Sequence, residues 1–119
     1  MTNDNSDPGD VIKAIRNHDQ DVIVELAGEI DMKCSAKIKN KFKEVFRNKP
    51  HAVIVDMTRV SFMDSSGLAV LVGALKRSRI NNSELKLAGL TKDVKAIFEI
   101  CRLETIFQIF DTLNEALSK

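Results

Sequence analysis

The sequence predicts an α/β fold built on a mixed, mostly parallel sheet of four to five strands, with an N-terminal hairpin and about four helices. Two runs with apolar residues at alternate positions come first, and short apolar runs then alternate with longer segments of helical spacing. Because helical crossovers join strands that pair in parallel, this order favours a parallel sheet behind an opening hairpin. At 119 residues, 44% of them hydrophobic, the chain can bury such a core as one domain.

Residues 1–10 are expected to form a flexible tail, since they are rich in Asn, Asp, Ser, Pro and Gly and contain no apolar residue beyond the first Met. A single domain is predicted over residues 11–119. Its first two strands run from Val11 to Arg16 and from Asp21 to Leu26, and a polar turn at residues 17–20 joins them. These two strands form the predicted antiparallel hairpin.

Asp31 is predicted to cap a first helix from Met32 to Arg47, in which apolar residues recur at spacings of three and four. Pro50 stops this helix. Basic residues decorate it, and their ordinary interpretation is a solvated helix face. The basic residues are Lys37, Lys39, Lys41, Lys43 and Arg47.

A buried strand and a second helix follow. The segment from Ala52 to Met57 is apolar apart from Asp56, which is typical of a strand covered on both faces. A second helix begins at Asp64 and ends at Asn81 and Asn82. The residues predicted to face the core from this helix are Leu68, Leu71, Val72, Leu75 and Arg79.

The last third of the chain predicts a strand from Glu84 to Ala88 and a helix capped by Thr91. A short edge strand or turn from Thr105 to Ile109 and a final helix capped by Asp111 complete the order. The third helix is expected to direct one side to the core, through Val94, Ile97, Phe98 and Cys101.

Composition excludes several classes of function. The 18 basic and 17 acidic residues are interspersed and give a net charge of +1, which argues against a broad surface for nucleic acid or membranes. Cys34 and Cys101 lie far apart and away from histidine, so we expect two buried reduced thiols and no metal site. The sequence has no apolar run long enough to span a membrane. Its first ten residues are polar and acidic, where a signal peptide would be basic and then apolar, so no secretory signal is expected. A soluble, cytoplasmic protein is expected.

The segment from Ser61 to Leu68 carries the most information. It is predicted to leave the buried strand as a loop and to enter the second helix with Asp64 as N-cap and Ser65 as first helical residue. Gly67 lowers helix stability there, and we expect it to keep the helix start bare for an approaching surface. A strong capping segment alone explains these residues, but phosphorylation of Ser65 also fits. A helix N-terminus tolerates the added negative charge.

A second segment, from Gly28 to Asp31, is predicted to join the second strand to the first helix. Gly28 permits a tight turn and Asp31 caps the helix, so a purely structural role again suffices. In the predicted sheet this segment and the one around Asp64 leave strand ends at the same edge. That edge is where open α/β sheets collect their binding sites.

These two segments resemble the hallmark segments of bacterial anti-sigma factor antagonists, single-domain members of the STAS domain family. The segments are Leu-Ala-Gly-Glu-Ile-Asp at 26–31 and Val-Ser-Phe-Met-Asp-Ser-Ser-Gly-Leu at 60–68, and the similarity in element order covers nearly the whole chain. The resemblance implies the STAS fold, phosphorylation at Ser65, and an Asp31 that lies beside it and supports a kinase interface. Ala69 stands where many members have glycine, which is expected to affect packing rather than switching.

What the resemblance implies is a partner switch by a protein that is not an enzyme. The unphosphorylated chain would bind an anti-sigma factor that is also a serine kinase of the GHKL type, and so free the sigma factor. The kinase would phosphorylate Ser65 and release the chain, and a PP2C-type phosphatase would reset it. Mg-ATP belongs to the kinase, and no cofactor, metal, nucleic acid or membrane is expected to bind the chain itself. The implied partner-binding residues are Asp31, Asp64, Ser66, Gly67 and Leu68.

Three alternatives remain. A STAS subunit or regulatory module of a lipid or anion transporter would use the same scaffold without needing Ser65 as a phosphorylation site. A hydrolase would need a base for Ser65, and neither His18 nor His51 has an evident route to it. A phospho-acceptor receiver domain would place its aspartate where Asp56 stands, but its acidic pair and its lysine are missing from the expected positions.

Overall fold

A computed structural model describes residues 10–117, and the predicted tail at residues 1–9 lies outside the described part of the chain. The strands are β1 (Ile12–His18), β2 (Asp21–Ile30), β3 (Ala52–Met63), β4 (Glu84–Ala88) and β5 (Gln108–Phe110). The helices are α1 (Met32–Arg47), α2 (Ser65–Ile80), α3 (Lys92–Ile100) and α4 (Leu113–Leu117), with a 3₁₀ turn at Leu103–Thr105.

The strands form one five-stranded sheet in the order β1-β2-β3-β4-β5. Strands β1 and β2 pair antiparallel, and each later neighbour pairs in parallel. The α/β class, the mixed sheet, the N-terminal hairpin and the four helices are therefore confirmed. Helix α1 has the predicted bounds, and Asp31 and Asp64 are the N-caps of α1 and α2.

The sheet has two unequal cores because alternate strand residues point to opposite faces. The larger core contains Val53 and Val55 of β3 and side chains from α1, α2 and α3, among them the fully buried Phe46 and Phe98. The smaller core contains Ile54, which lies between those two valines, and Ala116 of α4. Strand β3 is thus covered on both faces, as its apolar sequence predicts.

A buried lysine belongs to the smaller core. Lys86 of β4 is only 2% exposed, and its Nζ donates a hydrogen bond to the carbonyl of Ala116 at 3.2 Å. The ammonium group also lies 5.7 Å from the centre of the Phe110 ring and 4.0 Å from a carboxylate oxygen of Glu84. These contacts compensate the burial of the Lys86 ammonium group, and the hydrogen bond to Ala116 links α4 to the sheet.

Three strands are longer than predicted. Strand β1 continues to His18, β2 continues to Ile30, and β3 continues to Met63, so the predicted loop at residues 61–63 is wrong. The extensions of β2 and β3 pair with each other, and Ile30 lies opposite Met63. Their hydrogen bonds to the neighbouring strand, rather than local apolar alternation, keep these residues extended.

The N-terminal boundary is also corrected, because Asp10 is part of the folded domain. Its carboxylate accepts hydrogen bonds from the backbone N–H of Ile12 at 3.0 Å and from Lys37 Nζ at 2.7 Å. Burial alone would raise the pKa of Asp10, but the hydrogen bonds from Lys37 and Ile12, with the charges of Lys37 and Lys13, lower it overall. The carboxylate is therefore ionised and joins the start of β1 to α1.

Predictions about several individual residues need correction as well. The Thr112 hydroxyl, rather than Asp111, accepts the N–H of Glu115 at the start of α4, at 3.1 Å. Cys101 is exposed at the end of α3 and Cys34 is half-buried, so the expectation of two buried thiols is wrong. Arg79 is exposed, and on α2 the buried residues that the spacing missed are Gly67, Ala74 and Ser78.

Candidate functional site

The site lies at the edge of the sheet where β2 and β3 end and α1 and α2 begin. Ile30 at the end of β2 pairs in parallel with Met63 at the end of β3. The residues that follow these two strand ends, Asp31 and Asp64, are therefore neighbours in the fold. The backbone N–H of Asp64 donates to the Ile30 carbonyl at 3.2 Å, which fixes the two strand ends together. The sequence prediction that both segments meet at one edge is confirmed.

The first turn of α2 carries two serine hydroxyls that make no hydrogen bond with the described residues, and of the two serines only Ser65 is exposed. The Asp64 carboxylate accepts the N–H groups of Ser66 and Gly67 at 2.9 and 3.1 Å and so satisfies the helix start. Ser65 is exposed, and its hydroxyl makes no hydrogen bond with the residues that the structure describes. A modifying enzyme can reach this hydroxyl without breaking an internal contact.

Glycine is required at position 67 for a different reason from the one predicted. It is buried, and a Cβ at this position would lie 2.8 Å from the Ile30 carbonyl oxygen and 2.7 Å from Met63 Cγ. The glycine therefore lets α2 press against the ends of β2 and β3, and the idea that it leaves the helix start bare for a partner is wrong. It determines where Ser65 sits from inside the fold.

The first turn of α1 is closed by a capping box, in which Asp31 and Cys34 each accept the backbone N–H of the other. The Asp31 carboxylate accepts the N–H of Lys33 at 3.0 Å, and the Asp31 N–H lies 3.4 Å from Cys34 Sγ. Burial raises the pKa of the Cys34 thiol, and the adjacent Asp31 carboxylate raises it further. The thiol is protonated at neutral pH and serves as a hydrogen-bonding group rather than a nucleophile.

The sequence predicts a turn before α1 at Gly28, but Gly28 lies inside β2. Its φ of +87° falls in a region that favours glycine, and the pairing of β2 with β3 is irregular on both sides of it, between Glu25 and Ala27 and between Gly28 and Glu29. The glycine thus permits a bulge that lets β2 reach Ile30 and bring Asp31 to the edge.

Two exposed apolar side chains that the sequence pattern does not single out lie close in the chain to the paired ends of β2 and β3. Met32, the first residue of α1, is 74% exposed, and Phe62, close to the end of β3, is 45% exposed. The signal in the sequence was the position of Met32, off the apolar spacing of its helix. Exposed apolar side chains with polar residues around them are typical of a surface that binds another protein.

A groove between α1 and α2 continues from this edge and has a volume of about 460 Å³. It is lined by Ser35, Ala36, Lys39, Phe42, Ser66, Ala69, Val70, Gly73, Ala74 and Arg77. Of the basic residues on α1, Lys39 is thus at the groove, whereas Lys37 bonds to Asp10 and Lys41 to Glu44. The solvated-face interpretation of the basic run holds only in part.

The geometry does not favour the two enzyme-like alternatives. His51 lies just before β3 and contacts Asp21 at 3.3 Å, at the opposite end of the strand from Ser65. Asp56 is occupied by hydrogen bonds from the N–H and hydroxyl of Thr58, at 3.1 and 2.6 Å. Among residues 10–117 no three His, Cys, Asp or Glu side chains are grouped to hold a metal ion, and no helix is long and apolar enough to cross a membrane.

Comparison with known proteins places this geometry among related chains. The model of the STAS domain matches residues 13–116. An anti-sigma-B factor antagonist of Listeria monocytogenes is 43% identical over 103 residues, which is 85% of this chain and 90% of that protein.

Solved structures agree with the fold. An anti-sigma factor antagonist from Mycobacterium paratuberculosis superposes with a TM-score of 0.84 at 23% identity, over 95% of this chain and 96% of that one. The Bacillus protein SpoIIAA in its phosphorylated form gives a TM-score of 0.69 at 22% identity, over 88% of this chain and 96% of that chain.

Proposed function

This chain belongs to the STAS domain family, and from that premise we propose that it is an anti-sigma factor antagonist that works by partner switching. In its unphosphorylated form it binds an anti-sigma factor, which then releases its sigma factor. Phosphorylation of Ser65 ends that interaction. The Listeria relative supports this assignment by its similarity over most of both chains.

One observation carries the proposal: the exposed, uncommitted hydroxyl of Ser65 at the start of a helix whose amides are already satisfied by Asp64. A phosphate there would find the favourable end of the helix dipole, so the fold would tolerate it. The modification would then change what binds at the edge and leave the domain itself intact.

The surroundings of Ser65 make a bound phosphate costly for a partner. Asp31 and Asp64 already bring negative charge, and Met32 and Phe62 offer apolar contacts that a partner must cover. A docked surface would therefore bury a dianion next to two carboxylates and apolar groups. To move a complex from 99% bound to 99% free, the phosphate must cost about 5.5 kcal/mol, which an unpaired buried dianion can supply.

The partner-binding residues of the proposal differ in how they act. Asp31, Asp64, Ser66 and Leu68 are all half-buried, so each keeps part of its surface accessible at the edge. Gly67 is buried and supports this surface by holding α2 against Ile30. Apart from that indirect role, the partner face comprises the first turn of α2, Asp31, and the exposed Met32 and Phe62.

The chemistry of the switch belongs to the partners. We assign phosphorylation to a GHKL-type serine kinase that is also the anti-sigma factor and that supplies Mg-ATP, and dephosphorylation to a PP2C-type phosphatase. The chain contributes the acceptor hydroxyl and a docking surface, acts in the cytoplasm, and needs no cofactor or direct contact with nucleic acid. These roles extend the resemblance noted in the sequence.

Incubation with the anti-sigma factor kinase encoded in the same genome and Mg-ATP, followed by mass spectrometry, tests the proposal. We expect one phosphate, located on Ser65, and none on Ser65→Ala. The neighbouring Ser66→Ala variant is the matched control and should be phosphorylated at the wild-type stoichiometry. Phosphate on Ser66 alone, or none on the wild-type chain, would refute the proposed site.

The transporter alternative predicts a different result in the same assay, because a scaffold subunit needs no phosphate acceptor. The 43% identity to an anti-sigma-B factor antagonist favours the switch over that alternative. A gene that lies beside those of a kinase and a sigma factor, rather than an ATPase and a permease, would favour it further.

A further inference from the structure

We propose that the groove between α1 and α2 binds an acidic segment of the anti-sigma factor, and that this segment is the part of the complex that the Ser65 phosphate repels. The inference rests on the proposed function and adds to it the surface and the charge of the bound element. Three features of the groove support it: an unexplained glycine, an unopposed positive charge, and continuity with Ser65.

Gly73 has no explanation inside the described fold. It lies in the middle of α2 and is exposed, and a Cβ built on it would have no atom within 4 Å. An exposed glycine in a helix interior is less stable than alanine, and packing within the domain offers no compensation. Gly67 differs in this respect, because a Cβ there would clash with Ile30 and Met63. The space at Gly73 is therefore available to something from outside.

The groove carries two positively charged side chains. Lys39 of α1 and Arg77 of α2 both line it, and no acidic residue of the described chain does. Neither cation takes part in an ion pair within residues 10–117. Its floor contains the buried ring of Phe42. Two free cations above an apolar floor are complementary to a segment that carries carboxylates beside small apolar side chains.

The groove reaches Ser65 through its neighbour, since Ser66 is one of the lining residues. At 1.5 Å per residue, Arg77 lies about 18 Å along the helix from Ser65, beyond the screening length of roughly 8 Å at physiological salt. Screening therefore weakens the attraction between Arg77 and a phosphate on Ser65. An acidic segment in the groove would be held by Lys39 and Arg77 and opposed by the phosphate beside Ser66.

Titration of the anti-sigma factor kinase, without ATP, against purified variants tests the charge of the occupant. The double variant Lys39→Glu with Arg77→Glu should bind roughly tenfold or more weakly than wild type, with the loss reduced by added salt. Its matched control is Lys76→Glu with Lys95→Glu, two exposed lysines outside the groove that give the same change in net charge. The control should bind within about twofold of wild type. Equal losses in both would reduce the effect to overall charge and overturn the inference.

Substitution of Gly73 separates binding from folding. Gly73→Ala should raise the melting temperature, because the new methyl group meets nothing and the helix gains stability. Gly73→Leu should fold, as its side chain points into open space, yet bind the anti-sigma factor about tenfold more weakly by filling the groove. Wild-type affinity in Gly73→Leu would contradict occupancy of the groove.

Zero-length cross-linking with a carbodiimide identifies the occupant, because the reagent joins an amine directly to a carboxylate. We expect an amide between Lys39 and an Asp or Glu of the anti-sigma factor, and its loss after phosphorylation of Ser65. If the wild-type chain binds no anti-sigma factor, the proposed function fails and the inference falls with it. If it binds, but Lys39 forms no cross-link and the groove variants bind normally, only the inference fails.

Discussion

Helices α1 and α2 begin in the same way at the same edge and yet differ in what they offer. Each follows a strand of the parallel pair β2 and β3, and each is capped by an aspartate, Asp31 or Asp64. The first residue is an exposed Met32 in α1 and an exposed Ser65 in α2. The third residue is Cys34, which returns a contact to its cap, or Gly67, which lets the helix touch the sheet.

The difference teaches that a common structural device supports two roles. In α1 the cap is closed by the protonated thiol of Cys34, and the helix presents an apolar side chain. In α2 the Asp64 carboxylate accepts the N–H groups of Ser66 and Gly67. The Ser65 hydroxyl is therefore not needed for capping and stays available for chemistry. The identity of the first helical residue, and not the capping aspartate, separates the proposed switch from a scaffold.

Placing the same side chain at the third position of each helix should give the largest effect on stability. Gly67→Ala puts a methyl group 2.8 Å from the Ile30 carbonyl oxygen, so α2 must move away from the sheet. We expect a loss of about 1–3 kcal/mol in the free energy of unfolding. Cys34→Ala in α1 removes a weak sulfur contact and should cost less than 1 kcal/mol. Denaturant unfolding of both variants measures the difference; a Gly67→Ala as stable as wild type would contradict the packing described here.

Removal of either capping aspartate should give a smaller effect. Asp64→Ala and Asp31→Ala should each lower the free energy of unfolding by about 1 kcal/mol. Asp64→Ala should cost the more of the two, since that carboxylate accepts two N–H groups and Asp31 has its cysteine partner. Asn at either position retains a capping oxygen and serves as the control. The same unfolding titrations decide the order, and a larger cost at Asp31 would contradict the comparison of the two helix starts.

Much of this arrangement could be predicted from the sequence because it depends on local patterns. Helix spacing and an aspartate cap specify α1 completely, and the alternation of strands and helices specifies a parallel sheet. Two capped helices after parallel neighbours had to begin at one edge. That the segments around Asp31 and Asp64 share one edge was therefore predictable without any knowledge of side-chain contacts.

The remainder depends on contacts that no local pattern contains. The second half of β3, up to Met63, is extended because it pairs with β2, and Gly28 belongs to a bulge for the same reason. Gly67 and Gly73 are indistinguishable in sequence, yet one is packed against Ile30 and the other faces open space. Only the three-dimensional arrangement shows that the fold requires the first and leaves open space beside the second.

A phosphate on Ser65 is expected to change binding and not folding. The direct measurement is the affinity of the anti-sigma factor for the unphosphorylated chain and for the chain phosphorylated at Ser65, with Asn17→Asp as a control that adds negative charge at the opposite edge of the sheet. We predict that the phosphorylated chain binds about ten-thousandfold more weakly, the change that moves a complex from 99% bound to 99% free, and keeps its fold, while Asn17→Asp binds as wild type. Equal affinity of the two phosphorylation states would contradict the account.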